Sequence, residues 1–203
     1  MKLRERQMAQ TRTAILDALA AEIIESGILG LSMQRVADRA GITHRTLYNH
    51  FPTREALNDA FAAHVEEVMS ALGVVAPESE ANLASLPAVA GRIHEVMGAH
   101  APHIRAYVKL TMATGAPAQV FRERSRLIEQ RLEDELGPLA PGVARRVTSA
   151  IRLFLSSTGW NLMTEHHGLT GEESGRVCEW AVKLLVDAAR DGNIPRMQED
   201  EHA

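Results

Sequence analysis

The chain has 203 residues, 45% of them hydrophobic and 24% charged, with a formal net charge of −4. That length fits one large domain, or a small one with a medium one, around a sizeable core, and no stretch approaches the ~20 uninterrupted apolar residues of a membrane span. A single cysteine, Cys178, excludes an intramolecular disulfide and a thiolate-based zinc site, and reads as a buried core residue rather than a redox-sensing thiol.

Lys2, Arg4 and Arg6 open the chain as a frayed, solvated terminus or as a flexible arm able to reach a minor groove. The first helix is predicted over residues 11–26, with Ile15, Leu19 and Ile23 on one face and Gly27 at its end. Asp17 and Glu22 interrupt its apolar run, which argues against a signal peptide, so the expected location is the cytoplasm. Two short helices follow, each opened by a hydroxyl that can accept first-turn amides, Ser32 and Thr43, and joined at Gly41, where a left-handed turn is least costly. Val36, Ala37 and Ala40 face Leu47 and Phe51 across the pair, and small Ala37 lets the helices approach closely. Pro52 ends the second of the pair at Phe51, and Thr53 caps the next helix, which begins at Arg54 with Glu55 near its positive end. This is the pattern of a helix-turn-helix DNA reader.

The outer face of the second short helix carries hydrogen-bonding groups. Its N-terminal residues Thr43, His44 and Arg45 are candidates for reading base edges, with Arg45 able to grip a guanine through two hydrogen bonds, and Asn49 lies one turn on. Tyr48, His50, Thr53 and Arg54 suit phosphate oxygens and would set register, and Ser32 and Thr46 complete the DNA-facing set. Charge is divided to match. Residues 1–54 hold Lys2, Arg4, Arg6, Arg12, Arg35, Arg39, Arg45 and Arg54 against Glu5, Asp17, Glu22, Glu25 and Asp38, a net +3 that leaves −7 on the rest. A positive head on an acidic body favours end-on docking to duplex DNA.

Val36-Ala37-Asp38-Arg39-Ala40-Gly41-Ile42, followed by Thr46-Leu47-Tyr48-Asn49-His50-Phe51, resembles the N-terminal DNA-binding domain of the tetracycline-repressor (TetR) family over about residues 11–57. The resemblance implies an all-α homodimer on a palindromic operator, with a helix-turn-helix domain over residues 1–54 and a larger helical domain over 55–203 that often binds a small inducer. It also implies phosphate contacts at Tyr48, His50 and Arg54 and base reading at Thr43, His44, Arg45 and Asn49. Arg45 stands where the family often has a small residue or proline, which bears on the operator sequence. Arg54 stands where lysine is usual and keeps the charge.

Beyond this head, apolar residues keep recurring at three and four positions without β-branched alternation, so the chain is expected to be all-α. A fourth helix over 54–72 repeats Leu57, Phe61, Val65 and Met69, and a loop over 73–87 marks the domain edge. Further helices are predicted near 88–100, 103–114, 118–136, 142–167 and 171–191, the last opened by a capping box at Thr170-Gly171-Glu172-Glu173. The final two are expected to form an antiparallel hairpin, with Ala150, Ser157 and Gly159 allowing close approach. Ile151, Leu155, Leu162, Val177, Ala181, Leu184, Leu185 and Ala188 would give it a dimerisation face, doubled into a four-helix bundle as in the TetR family.

Met97, His100, His103, Tyr107, Met112, Phe121, Phe154, Trp160 and Met163 are the candidate lining of an adaptable, mostly apolar pocket between the 88–136 helices and the 142–167 helix. Residues 122–135 read as a solvated charged face rather than a binding tract. The chain lacks a Gly-rich phosphate loop, a Gly-x-Ser-x-Gly elbow and paired carboxylates with a local cause for shifted pKa values, which argues against an enzyme. Nine histidines suggest metal, but Pro102 separates His100 from His103, and adjacent His166 and His167 diverge on a helix; no metal or cofactor is expected. The expected function is a ligand-released transcriptional repressor. The alternative is a DNA-binding dimer without a pocket whose body docks a protein partner.

Overall fold

The predicted helices form with two departures, an earlier start to the first and a break in the one expected over 142–167. The computed structural model describes residues 3–72, 82–115, 118–137 and 141–195. Among them the elements are α1 (Leu3–Ser26), α2 (Met33–Arg39), α3 (His44–His50), α4 (Arg54–Ala71), α5 (Leu86–Ala99), α6 (Ala101–Thr114), α7 (Ala118–Leu136), α8 (Pro141–Phe154), α9 (Ser157–Asn161), a π-helical turn (Leu162–His166) and α10 (Gly171–Arg190). No strand occurs among the described residues, and none of their helices is long and apolar enough to cross a membrane.

α1 begins at Leu3 rather than near Thr11, so Arg4 and Arg6 are exposed helical residues and not a frayed arm; Lys2 lies outside the described residues. The cause is local, because Leu, Arg, Glu, Gln, Met and Ala through this stretch are all strong helix formers. Most of the predicted loop after α4 also lies outside the described residues, and α5 starts at Leu86 within its expected end.

The chain divides into two compact units, Met1–Val68 with His100–Ala116 and Met69–Ala99 with Pro117–Ala203. The start of α4 carries Leu57, Phe61 and Val65, all buried, within the first unit. That unit's core also takes Ile15, Leu16, Leu19 and Ile23 of α1 and Ile104 and Val108 of α6. α6 packs on α1, where His103 Nε2 lies 2.9 Å from the Asp17 carboxylate and Lys109 Nζ donates to the Ile24 carbonyl at 3.4 Å.

In the second unit, α10 lies along α5 with the backbones nearly touching. A Cβ on Gly98 would stand 2.9 Å from Gly171 Cα, and one on Gly175 2.8 Å from the Gly91 carbonyl oxygen. Ala90 and Cys178 fill the seam, and Leu83, Ile128, Leu132, Val147, Ile151, Val182 and Val186 complete the core. The expected capping box forms at Thr170, whose Oγ1 accepts from the Glu173 amide at 3.1 Å while its own amide donates to Glu173 at 2.8 Å.

The single helix expected over 142–167 is instead α8, α9 and the π-helical turn, broken at Leu155-Ser156. Ser156 takes an extended conformation, its Oγ accepts from the Gly159 amide at 2.9 Å, and a Cβ on Gly159 would sit 2.3 Å from the Leu153 carbonyl. Gly159 thus serves the break rather than a neighbouring helix. The break also frees the Phe154 carbonyl, which accepts from Nε2 of His94 on α5 at 2.8 Å.

His94 has no solvent exposure. Burial lowers its pKa below the ordinary 6.5, only partly opposed by the bond to Phe154. The folded protein therefore excludes a proton that the unfolded chain accepts, so the His94 contribution is complete above 6.5, declines as pH falls below it, and is gone once pH passes the lowered folded value. The thermal midpoint is expected to be lower at about pH 5 than at about pH 7.5, and His94→Gln, which keeps an N–H for Phe154, should flatten that difference. Calorimetry across the range checks both.

Candidate nucleic-acid interface

The reader pair is assembled from its caps inward. Ser32 Oγ accepts from the Arg35 amide at 3.4 Å and Thr43 Oγ1 from the Thr46 amide at 3.1 Å, which opens α2 and α3 where the sequence places them. Between them Gly41 has a φ of +67°, and the Ile42 amide reaches back to the Ala37 carbonyl at 3.0 Å. Val36, Ala37, Leu47 and Phe51 are buried on the inner faces, while Ala40 is half-buried. Arg12 of α1 stacks its guanidinium 4.6 Å from the Phe51 ring centroid.

The outer face of α3 presents Thr43, His44, Arg45, Tyr48 and Asn49 to solvent, with Thr46 and His50 half-buried beside them. Thr46 Oγ1 is 2.8 Å from Thr43 Oγ1, which ties both to the cap. His44 and Tyr48 pack edge to face at 4.7 Å, one turn apart, and stiffen two of the polar groups. Thr53 is exposed and caps α4 through the Ala56 amide at 3.1 Å. Arg54 is half-buried and its guanidinium donates to the Ile28 carbonyl, so it braces the loop before α2. Ser32, too, is half-buried as a cap.

What sequence reading missed is how the pair is held to α1. The side chain of Glu22 has no solvent exposure, and its carboxylate accepts from Arg35 Nε at 2.6 Å and Arg39 Nε at 3.2 Å. Arg39 also pairs with Glu25, and Arg35 donates to Ser26 Oγ at 3.1 Å and the Gly30 carbonyl at 2.6 Å. Burial alone would raise the Glu22 pKa, but the bonds from Arg35, Ser26 and Arg39 outweigh it and hold the carboxyl below the ordinary 4.5. The available signal was an acid inside the apolar face of α1 with two arginines four residues apart on the next helix.

The other candidate sites fare differently. Of the dimerisation set, Ile151 is wholly buried in the core of the second unit, and Leu155 and Leu185 pack against that core, because α10 and α8 bury one face each within it. Leu162, Val177 and Leu184 remain exposed at 51%, 38% and 50%, with Ala181 and Ala188 half-buried among them. Trp180 at 64% and Leu153 at 56% are exposed apolar residues that the pattern did not single out.

The candidate pocket residues fall in both units. His100, His103, Tyr107 and Met112 belong to the first unit, where Met112 is 72% exposed, His103 pairs with Asp17, and Tyr107 donates to Glu66 at 2.9 Å. Met97 and Trp160 are buried in the second unit, Phe154 and Met163 pack against its core, and the side chain of Phe121 lies outside the described residues. An open groove of about 610 Å³ does lie between α7 and α8, but none of the nine lines it, and Arg126 and Glu129 of the supposed solvated stretch do.

Cys178 is buried, its thiol pushed up to about 12 by burial, so it holds its proton as a core residue. Its sulfur stands 3.6 and 3.3 Å from the two nitrogens of His94 and 3.8 Å from Met163 Sδ. A sulfur nearly equidistant from both nitrogens of one ring cannot lie on the lone-pair axis of either, so this cluster has packing geometry rather than ligand geometry. No group of three His, Cys, Asp or Glu able to hold a metal occurs among the described residues.

A two-helix reader with capped ends, a positive-φ glycine turn and an exposed polar face on its second helix defines a helix-turn-helix DNA-binding protein. Residues 15–61 match the model of the bacterial regulatory proteins of the tetR family. Over those residues the chain carries a tetR-type N-terminal domain, that of a DNA-binding transcriptional regulator. It is 27% identical over 158 residues, 74% of this chain and 80% of the other, to an HTH-type transcriptional regulator of Mycobacterium tuberculosis. In fold it is similar to a TetR-family transcriptional regulator from Pseudomonas syringae pv. tomato, at a TM-score of 0.58 and 23% identity over 88% of this chain and 96% of that one. It is similar also to NalD of Pseudomonas aeruginosa, the secondary repressor of the MexAB-OprM multidrug efflux pump, at a TM-score of 0.59 and 18% identity over 95% and 99%.

Removing the charge at position 22 tests the clamp. Glu22→Gln is expected to lower stability by about 1.5–3 kcal/mol, the range for hydrogen bonds to charged groups, and to weaken DNA binding without changing which bases are preferred. Denaturant melts and DNA titrations with a panel of sequences check the two effects.

Proposed function

We propose that the chain acts in the cytoplasm as a homodimeric repressor that grips a palindromic operator and leaves it when a small molecule binds the second unit. The observation that carries the reading is the exposed face of α3, where Thr43, His44, Arg45 and Asn49 are displayed on a helix whose cap and inner face are fixed. Arg45 reads a guanine, the neighbouring groups read adjacent edges, and Tyr48 and His50 reach phosphates. Arg54 supports them by holding the preceding loop.

Two half-sites about 34 Å apart require two heads, and the exposed Leu162, Val177, Trp180 and Leu184 supply an apolar surface for a second copy. Ligand release is supported by the open groove in the second unit, since a dry and fully packed body would leave only partner docking. The coupling between ligand and DNA is about 1–3 kcal/mol.

Replacing Arg45 with Ala should cost about 1–3 kcal/mol at one base position and relax specificity there. Equal affinity of both proteins for operator-like and random duplexes would remove the reading. Leu184→Glu places a charge in the exposed apolar face and should release monomers in sedimentation, whereas an intact dimer would put the interface elsewhere.

A further inference from the structure

α8 has two unlike faces. Val143, Val147 and Ile151 point into the core, while Arg145, Thr148, Ser149 and Arg152, at spacings of three and four, form a guanidinium and hydroxyl stripe along the groove against α7. A solvated helix face would leave such a stripe in water. Here Thr148 is 2% exposed and Arg152 8% exposed. The Thr148 hydroxyl is buried without a hydrogen-bond partner, although a helical threonine can ordinarily donate to the carbonyl four residues back, as Thr114 does to Leu110 at 2.9 Å.

Across the groove α7 adds Arg126 and Glu129, so among the described residues the lining holds three guanidiniums against one carboxylate. Leu153, more than half exposed, supplies an apolar patch at the same wall. A cavity of about 610 Å³ is far larger than an inorganic ion needs and is of the size that takes a small organic molecule.

We infer that the α7–α8 groove binds an amphiphilic organic anion, its carboxylate or phosphate head held by Arg126, Arg145 and Arg152 with Thr148 as an additional donor, and its apolar part against Leu153. Guanidiniums pair with either head through charge-assisted bonds, and the buried hydroxyl gains the acceptor that the protein does not provide. This rests on the ligand-responsive reading above and replaces the mostly apolar ligand expected from sequence with a charged one.

The test uses the full-length protein and four probes: octanoate, octyl phosphate, inorganic phosphate and uncharged 1-octanol, followed by calorimetric titration and by thermal melting. One or both octyl anions should bind and raise the melting temperature, which one identifying the head group, while octanol and inorganic phosphate should do neither. Arg126→Gln and Arg145→Gln, both at exposed positions that leave the core intact, should each weaken that binding about tenfold or more. Thr148→Val, of nearly the same shape, should keep the fold and weaken anion binding.

Octanol binding as well as the anions, or anion binding unaffected by both arginine changes, would overturn the inference, as would the absence of any binding by either octyl anion. DNA release is measured separately by operator titration. Anion binding that depends on the arginines but leaves DNA affinity unchanged would support the site and defeat ligand-released repression. Release by a neutral compound with no anion binding would do the reverse.

Discussion

A carboxylate without solvent exposure, shared by two guanidiniums, sets the geometry of the DNA-binding head. Glu22 lies in the buried face of α1, and only α2 offers it Arg35 and Arg39 on one side, one turn apart. Those side chains are 51% and 34% exposed, so they keep part of their hydration and the charge pair does not carry the full desolvation cost of a buried one. What the pair contributes above all is angle. With α2 fixed to α1, the positive-φ turn at Gly41 and the burial of Ala37, Leu47 and Phe51 leave α3 a single docking, and the polar residues of α3 face outward because its apolar ones are already committed.

The second unit depends on a different constraint, the near contact of α5 and α10 backbones at Gly98, Gly171 and Gly175. Alanine is the better helix former at such positions by about 1 kcal/mol, so glycine is retained for proximity rather than propensity. The approach brings His94 against the break after α8, where its ring satisfies the Phe154 carbonyl that the lost helical turn leaves open. A helix break inside a core needs such a partner, and a neutral imidazole provides it at the cost of acid sensitivity.

These two constraints distribute polarity to fit a DNA-binding regulator. The head shows hydrogen-bonding groups on one short helix, and α10 turns Val177, Trp180 and Leu184 outward beside the buried Cys178 and Val182. α8 buries its aliphatic face yet draws part of its polar face out of water as well. The groove beside it pairs guanidiniums with a hydroxyl that has no partner, an arrangement that an apolar ligand would leave unsatisfied.

By itself the sequence determined the elements whose causes are local. The hydroxyl caps at Ser32, Thr43, Thr53 and Thr170, the turn at Gly41, the stop at Pro52 and the helical spacing of apolar residues each act within a few residues, so the reader helix and its exposed face were legible before any packing was known. Tertiary structure decided what depends on which surfaces meet. Periodicity marks Ile151 and Leu184 alike as apolar, but only the docking of α5, α7 and α10 on α8 buries the first and leaves the second exposed. It likewise cannot tell that His103 and Tyr107 are engaged by α1 and α4, that Ser156 and Gly159 break a helix, or that Glu22 meets two arginines 13 and 17 residues away. Spacing along a chain reports the face of one helix, whereas a pocket, an interface or a buried ion pair is a property of several faces brought together.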